Sequence, residues 1–118
     1  MRVQKIYENA LALIGRTEEG TDYSFMDRVP SLLNPDIAVL NAFRDDDNLI
    51  PEVEKISDDI DITAKEAQGL SLCLACMAAS EIDGFSESRL SLLYRQRGTV
   101  MGSINTGMED ITETIGME

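Results

Sequence analysis

One stretch of the chain, folded as a helix, would be apolar around its whole circumference, and this constrains the fold more than any other feature. It reads LSLCLACMAA from Leu70 to Ala79, and Ser71 is its one polar residue. Thr63 and Glu66 precede it in the order T-A-K-E, which predicts a capping box at a helix start. Since a helix without a polar face is buried on every side, we predict an all-α bundle of four to five helices around a central helix at about residues 63–82.

Cys73 and Cys76 form a C-x-x-C inside this helix, a spacing found in redox and zinc sites. A redox pair needs its first sulfur at a helix N-terminus, where the dipole and free amides lower the thiol pKa. Here the pair begins ten residues after Thr63, among leucines and alanines. Zinc takes four ligands as a rule, and the chain has no histidine and no other cysteine. We therefore predict two inert core thiols, with no metal and no cofactor.

Apolar residues recur every three or four positions in two further segments, which predicts amphipathic helices. The first helix covers about residues 3–14, including Leu13 on its apolar face, and ends at Gly15, which can adopt the left-handed cap conformation. The last helix begins after Ser86 as N-cap, directs Tyr94 inward with Leu90 and Leu93, and is interrupted at Gly98.

Another helical pattern starts near Asp22 and continues to Phe43, with Ile37, Leu40 and Phe43 on its apolar face. Pro30 and Pro35 lie inside it, and an interior proline removes a backbone donor and clashes with the preceding turn. The pattern is compatible with one kinked helix or with two short helices, the second beginning at Pro35.

Residues 44–61 carry eight acidic side chains, and we interpret them as a solvated connection between helices. Its apolar residues are expected to fasten it to the core: Leu49, Ile50, Val53, Ile56 and Ile60. Closely spaced aspartates also suggest a calcium loop, but D-D-D-N-L-I-P lacks the glycine at the sixth position and the glutamate at the twelfth.

The net charge is −12, from 22 acidic against 10 basic residues. Binding the phosphate backbone of nucleic acids requires clustered Lys and Arg, and anionic lipid surfaces repel an acidic protein. No stretch approaches the roughly 20 apolar residues that span a bilayer, and no secretory signal opens the chain. We predict a cytoplasmic protein whose partner is another protein.

The sequence offers little for catalysis. Without histidine there is no Ser–His or Cys–His pair, and neither of the two glycine-rich phosphate-binding motifs is present. We predict that the chain is not an enzyme and has no catalytic residue.

Two segments are candidates for partner binding. Arg89 and Arg97 can share one side of the last helix, where they either solvate it or form a docking strip for an acidic neighbour, such as the 44–61 connection of another copy. Beyond a bundle domain at 1–100, residues 101–118 predict a tail that is frayed or that orders on a partner. The tail's apolar residues, which would make that contact, are Ile104, Met108, Ile111 and Ile115.

The order of these elements resembles the head–tail connector, or adaptor, proteins of tailed bacteriophages and prophages. The segment ITAKEAQGLSLCLACMAASEIDGFSESRLSLLYRQRGTVM carries most of the resemblance, and KIYENALALIG and MEDITETIG look like the two ends of such chains. Pro30 and Pro35 depart from that pattern, as does the long acidic connection.

The resemblance implies a non-enzymatic virion protein that forms a ring on the portal at the capsid exit, extends the DNA channel and receives the next connector or tail protein. Such a protein would occupy the host cytoplasm and then the virion neck. The competing interpretation is a small acidic helical module that binds or regulates a single protein partner.

Overall fold

The computed structural model describes residues 1–16 and 23–105. Four α-helices make up most of this part of the chain, together with a 3₁₀ turn at Asp46–Asn48, and it contains no β-strand. The predicted all-α bundle is confirmed. The helices are α1 (Val3–Leu13), α2 (Tyr23–Asn41), α3 (Ala64–Ser80) and α4 (Glu87–Asn105).

Helix α3 is the centre of the bundle, because α1, α2 and α4 all pack against it. The predicted capping box starts it: Thr63 Oγ1 accepts from the Glu66 amide at 3.1 Å, and Glu66 Oε1 accepts from the Thr63 amide at 2.9 Å. Nearly every side chain from Glu66 to Ala79 is buried. Ser71 satisfies its hydroxyl by donating to the Ala67 carbonyl at 2.8 Å. The polar residue in the apolar stretch therefore adds no unpaired group to the core.

Gly69 of α3 is where α4 approaches most closely. A Cβ at this position would lie 2.7 Å from Met101 Sδ and 3.5 Å from Ile104 Cδ1. The absence of a side chain at Gly69 therefore lets the C-terminal half of α4 pack directly on α3.

Helix α2 is continuous through both prolines, which settles the alternative that the sequence left open. Each interior proline costs about 3 kcal/mol relative to alanine. Burying one apolar side chain contributes about 1.5–3 kcal/mol, and four on α2 are almost fully buried: Val29, Leu33, Ile37 and Leu40. Packing of this face outweighs the prolines. The prediction for Phe43 was wrong: it lies just past the helix end and is 57% exposed.

The acidic connection is held along α2 by two asparagines that lie two helical turns apart. Asn41 Nδ2 donates to the Ile50 carbonyl at 2.9 Å, and the Ile50 amide donates to Asn41 Oδ1 at 2.7 Å. Asn34 makes the same pair of bonds with Val53, at 2.9 and 2.8 Å. Ile50, Val53 and Ile60 are buried as expected, whereas Leu49 is half exposed and does not fasten the connection.

The connection also caps α1, which has no side-chain cap at its start. The Val3 amide donates to the Asp58 carbonyl and the Gln4 amide to the Ile56 carbonyl, both at 2.9 Å. These bonds satisfy two of the donors that a helix start leaves open. At the other end of α1, Leu13 is 40% exposed and leaves the predicted apolar face, while Gly15 takes a φ of 73° and closes the helix as predicted.

Helix α4 begins as predicted, with Ser86 Oγ accepting from the Arg89 amide at 3.4 Å. The predicted interruption at Gly98 is wrong, since the helix continues to Asn105. A helical glycine costs only about 1 kcal/mol, and Val100, Met101 and Ile104 beyond it pack against the core. The predicted domain boundary after residue 100 therefore falls within α4. None of the described helices has the combined length and hydropathy needed to cross a membrane.

Candidate functional site

The two cysteines are buried, with 2% of Cys73 and none of Cys76 exposed, and both are free thiols. Burial and, to a smaller extent, the nearby Asp36 carboxylate together raise the pKa of the Cys73 thiol to about 12. Burial also raises the pKa of Cys76. The predicted core position of both cysteines is confirmed. Since the thiolate is the nucleophile and the metal ligand, the raised pKa values favour inert thiols, which stays a prediction.

Asp36, Cys73 and Arg97 bring α2, α3 and α4 together at one polar junction. Burial raises the pKa of Asp36, while the Arg97 charge and a hydrogen bond from the Cys73 thiol oppose that rise. Asp36 Oδ2 is buried and has no hydrogen-bond partner among the described residues. The junction thus brings a buried carboxylate oxygen near one cation and a thiol whose pKa is raised.

A metal centre would need several converging ligands. Within residues 1–16 and 23–105, no group of three or more cysteine, aspartate or glutamate side chains is arranged to hold a metal ion. The aspartates at 45–47 are exposed and belong to the 3₁₀ turn and the residue before it.

The structure separates the two arginines of the predicted docking strip. The Arg89 guanidinium lies over the Phe85 ring, 4.9 Å from its centroid, and the Arg97 guanidinium lies over Tyr94 at 4.8 Å. Arg89 is exposed near the end of α1, whereas Arg97 is half-buried beside Asp36. Buried Leu93 lies between them on the helix. They do not form one exposed strip, so Arg89 alone of the pair is freely accessible to a partner.

The exposed surface of α4 instead combines two arginines with two apolar side chains. We call Arg89, Leu92, Tyr94 and Arg95 the α4 outer surface; Leu92 is 48% and Tyr94 42% exposed. The sequence analysis did not assign Leu92 to a face, and it placed Tyr94 inward because Tyr94 follows the apolar spacing of Leu90 and Leu93. Arginine beside exposed tyrosine and leucine is a composition that suits a protein interface.

The acidic connection presents the opposite charge, and Arg44 ties its ends to α3. Arg44 Nη1 donates to the Asn48 carbonyl at 2.6 Å, while Nε and Nη2 donate to the two Glu66 carboxylate oxygens at 3.0 and 2.7 Å. Burial acts to raise the pKa of Glu66, but the hydrogen bonds from Arg44 and Thr63 outweigh it, so that pKa is lowered.

Seven of the eight acids that follow Arg44 in this segment are exposed: Asp45, Asp46, Asp47, Glu52, Glu54, Asp59 and Asp61. This set is called the acidic surface below.

The predicted partner-binding residues of the tail divide into two groups. Ile104 is half-buried and packs against the core of its own chain, close to Gly69. Met108, Ile111 and Ile115 lie outside the described residues. A partner-binding role for these side chains, and for Arg89 and Arg97, stays a prediction.

No protein-family model, curated protein or solved structure matches this chain.

Proposed function

We propose that this chain is a structural adaptor of a tailed phage or prophage. It forms a ring on the portal at the capsid exit, extends the DNA channel and carries the next connector or tail protein. It assembles in the host cytoplasm and remains in the virion neck.

The observation that supports this proposal is the pair of oppositely charged surfaces on one chain. The acidic surface and the α4 outer surface occupy different elements, and the second contains arginines beside exposed apolar side chains. When one patch of a protein contacts a different patch of the next copy, the contact is heterologous. Repeated heterologous contacts form a ring if the rotation closes.

Both surfaces are held in place before any partner binds. Asn34, Asn41 and Arg44 fix the acidic connection through backbone hydrogen bonds. Stacking on Phe85 likewise holds Arg89. A surface that is already ordered loses less conformational entropy on association, which favours repeated assembly of identical copies.

The net charge of −12 suits a channel wall past which DNA has to slide. Attachment to DNA requires arginines and lysines that displace counterions, and an acidic lumen does not provide them. Copies that are each strongly acidic repel one another, and the α4 arginines reduce this repulsion where one copy contacts the acidic surface of the next.

A second candidate, a module that binds a single partner, is favoured by the outer side of α2. Val39 is 42% and Phe43 57% exposed, and the exposed acids Asp45 and Asp46 follow Phe43 after one intervening residue, Arg44. Exposed apolar side chains beside acids fit one segment of a partner that carries apolar and basic residues.

A charge-swap experiment tests the adaptor proposal. The portal is mixed with the wild-type chain or, in separate samples, with each variant. Ring assembly is then measured by native mass spectrometry. Asp45→Arg/Asp46→Arg and Arg89→Glu/Arg95→Glu should each abolish ring closure alone, because like charges then face each other. A mixture of the two variants should restore closure of an even-numbered ring in which they alternate, since every contact then joins one basic and one acidic patch, and one chain carrying all four changes should also restore the ring.

The matched control is Asp27→Arg/Ser31→Arg, two exposed positions on α2 that belong to neither surface, and it should leave assembly unchanged. Rings that tolerate both swaps would refute the proposed contact. A stable complex with one chain per partner would favour the single-partner module.

A further inference from the structure

A groove of about 680 Å³ lies on the side of the bundle where α1, α3 and α4 meet. Its walls are largely apolar, with Leu13 from α1, Ala67 and Leu72 from α3, and Val100 from α4. Leu13 is 40% exposed although the helix spacing predicts it to be buried. An apolar groove of this kind is suited to the apolar face of a helix.

The charge of the groove differs from that of the protein. Acidic residues number 22 of 118 in the sequence, yet among the described residues no acidic side chain lines the groove, and Arg95 is the only charged one that does. The rest of the rim is uncharged and polar, including Gln68 and Thr99. The groove therefore favours an apolar segment that is itself acidic.

We propose that the groove binds residues 106–118 of the same molecule. That segment lies outside the described residues, and its sequence, TGMEDITETIGME, has Met108, Ile111 and Ile115 at helical spacing. Its charged residues are four acids and no base: Glu109, Asp110, Glu113 and Glu118. As a short helix it would direct its apolar side chains into the groove and its acids toward the rim and Arg95.

The same molecule's segment can reach the site. Helix α4 lines the groove at Arg95 and Val100 and ends at Asn105. At 1.5 Å per residue, Arg95 lies about 15 Å back along α4 from its end. A helix over residues 108–116 is about 13 Å long by the same rise. Gly107 can supply the reversal between the two helices, because glycine adopts positive φ without steric cost.

Arg95 lines the groove and also belongs to the α4 outer surface, so the segment and a neighbouring copy would compete for it. The two proposals are still tested separately, because binding of the segment is measured on the chain without portal and ring closure is measured by mass. Binding of the segment is tested on the full chain with Thr114→Cys carrying a nitroxide spin label. The two native thiols are buried and their pKa values are raised, that of Cys73 to about 12, so the introduced cysteine is labelled selectively at neutral pH.

Paramagnetic broadening of amide signals is then measured by NMR. The amides of Ala12, Gln68 and Thr99 should lose most of their intensity, whereas those of Ala38 and Ala42, which are exposed on the outer side of α2 and its end, should keep theirs. Unchanged groove signals, or broadening on α2 instead, would overturn the proposal.

Three further samples define the contact. Arg95→Glu should weaken the broadening at the groove, while Ser88→Glu, an exposed change on the same helix two turns from Arg95 and outside the groove, should not. In a mixture of spin-labelled unenriched chains and unlabelled ¹⁵N-enriched chains, the groove signals should stay sharp. Broadening there would show that the segment binds another copy, which contradicts the proposal.

Discussion

Replacing Arg44 by methionine should destabilise the fold more than replacing an exposed arginine, because Arg44 neutralises a buried carboxylate. The Glu66 side chain is 7% and the Arg44 side chain 21% exposed, and two hydrogen bonds of 3.0 and 2.7 Å join them. Removing one partner of a buried ion pair costs about 3–5 kcal/mol. Since water reaches part of Arg44, we expect the low end, about 3 kcal/mol.

The stability that Arg44→Met loses should depend on pH. In the wild type the pKa of Glu66 is lowered, so its pairing contributes stability above the pKa of the unfolded chain, and this contribution is lost as pH falls through the lowered pKa. In Arg44→Met the buried carboxylate has no cation, and its pKa should rise. The difference in unfolding free energy between the two proteins should therefore be full at pH 7 and shrink near pH 4.

Urea denaturation followed by far-UV circular dichroism measures these free energies in a chain without tryptophan. Arg28→Met is the matched control, because Arg28 and Glu81 lie 2.6 Å apart but both side chains are 46% exposed. The exposed pair contributes about 0–1 kcal/mol, and the Arg28 guanidinium over the Phe25 ring adds about 0.5–1 kcal/mol. The expected cost is therefore at most about 2 kcal/mol.

A double-mutant cycle with Glu66→Gln isolates the pair, since glutamine can still accept from the Thr63 amide. If Arg44→Met costs no more than Arg28→Met, or if the coupling between positions 44 and 66 is negligible, the assigned role of Arg44 is refuted.

Two further substitutions and one measurement of thiol reactivity test other parts of the structure. Gly98→Ala should stabilise the chain by about 1 kcal/mol, since a Cβ at this exposed helical position meets nothing within 4 Å; thermal denaturation measures the gain. Asp36→Asn should stabilise the protein at pH 7, because the raised pKa of Asp36 means that its charged form is disfavoured in the fold. Cys73 and Cys76 should react with a thiol reagent at pH 8 only as fast as the chain opens, as both are buried.

Each of these has an outcome that contradicts it. A lower melting temperature for Gly98→Ala would mean that α4 does not continue through residue 98. The gain from Asp36→Asn should vanish below the ordinary pKa of aspartate, where both states are protonated; a gain that persists there would have another cause. Thiol modification that is as rapid as in urea would place the cysteines outside the core.

The structural features that could be predicted from the sequence are those marked by residues within the element itself. The T-A-K-E box and the unbroken apolar stretch sufficed for α3, since a helix without a polar face can only be central. Gly15 and Ser86 marked a helix end and a helix start by their own backbone and side-chain chemistry. The buried position of Cys73 followed from its place in the middle of this apolar stretch.

Features that depend on distant contacts could not be predicted in this way. Nothing local to Asn34 and Asn41 indicates that they bind the backbone of an extended segment, and the capping of α1 by carbonyls of residues 56 and 58 has no signature in α1 itself. The continuity of α2 through Pro30 was decided by tertiary burial, which sequence propensity does not contain.

The candidate surfaces were only partly predictable for the same reason. Helical spacing placed Arg89 and Arg97 on one side of α4, but it could not show that Arg97 is half-buried, close enough to Asp36 to lower the pKa of that carboxyl. Tyr94 and Phe43 were missed as surface residues because apolar spacing is equally typical of a core face and of an interface.

The central claim is that this chain assembles as a ring on a portal, and the most direct test is the mass of that complex. The chain and a portal protein from the same genome would be purified together and measured by native mass spectrometry. The account predicts many copies of the chain on each portal ring. A complex with a single copy, or no complex at all, would contradict it.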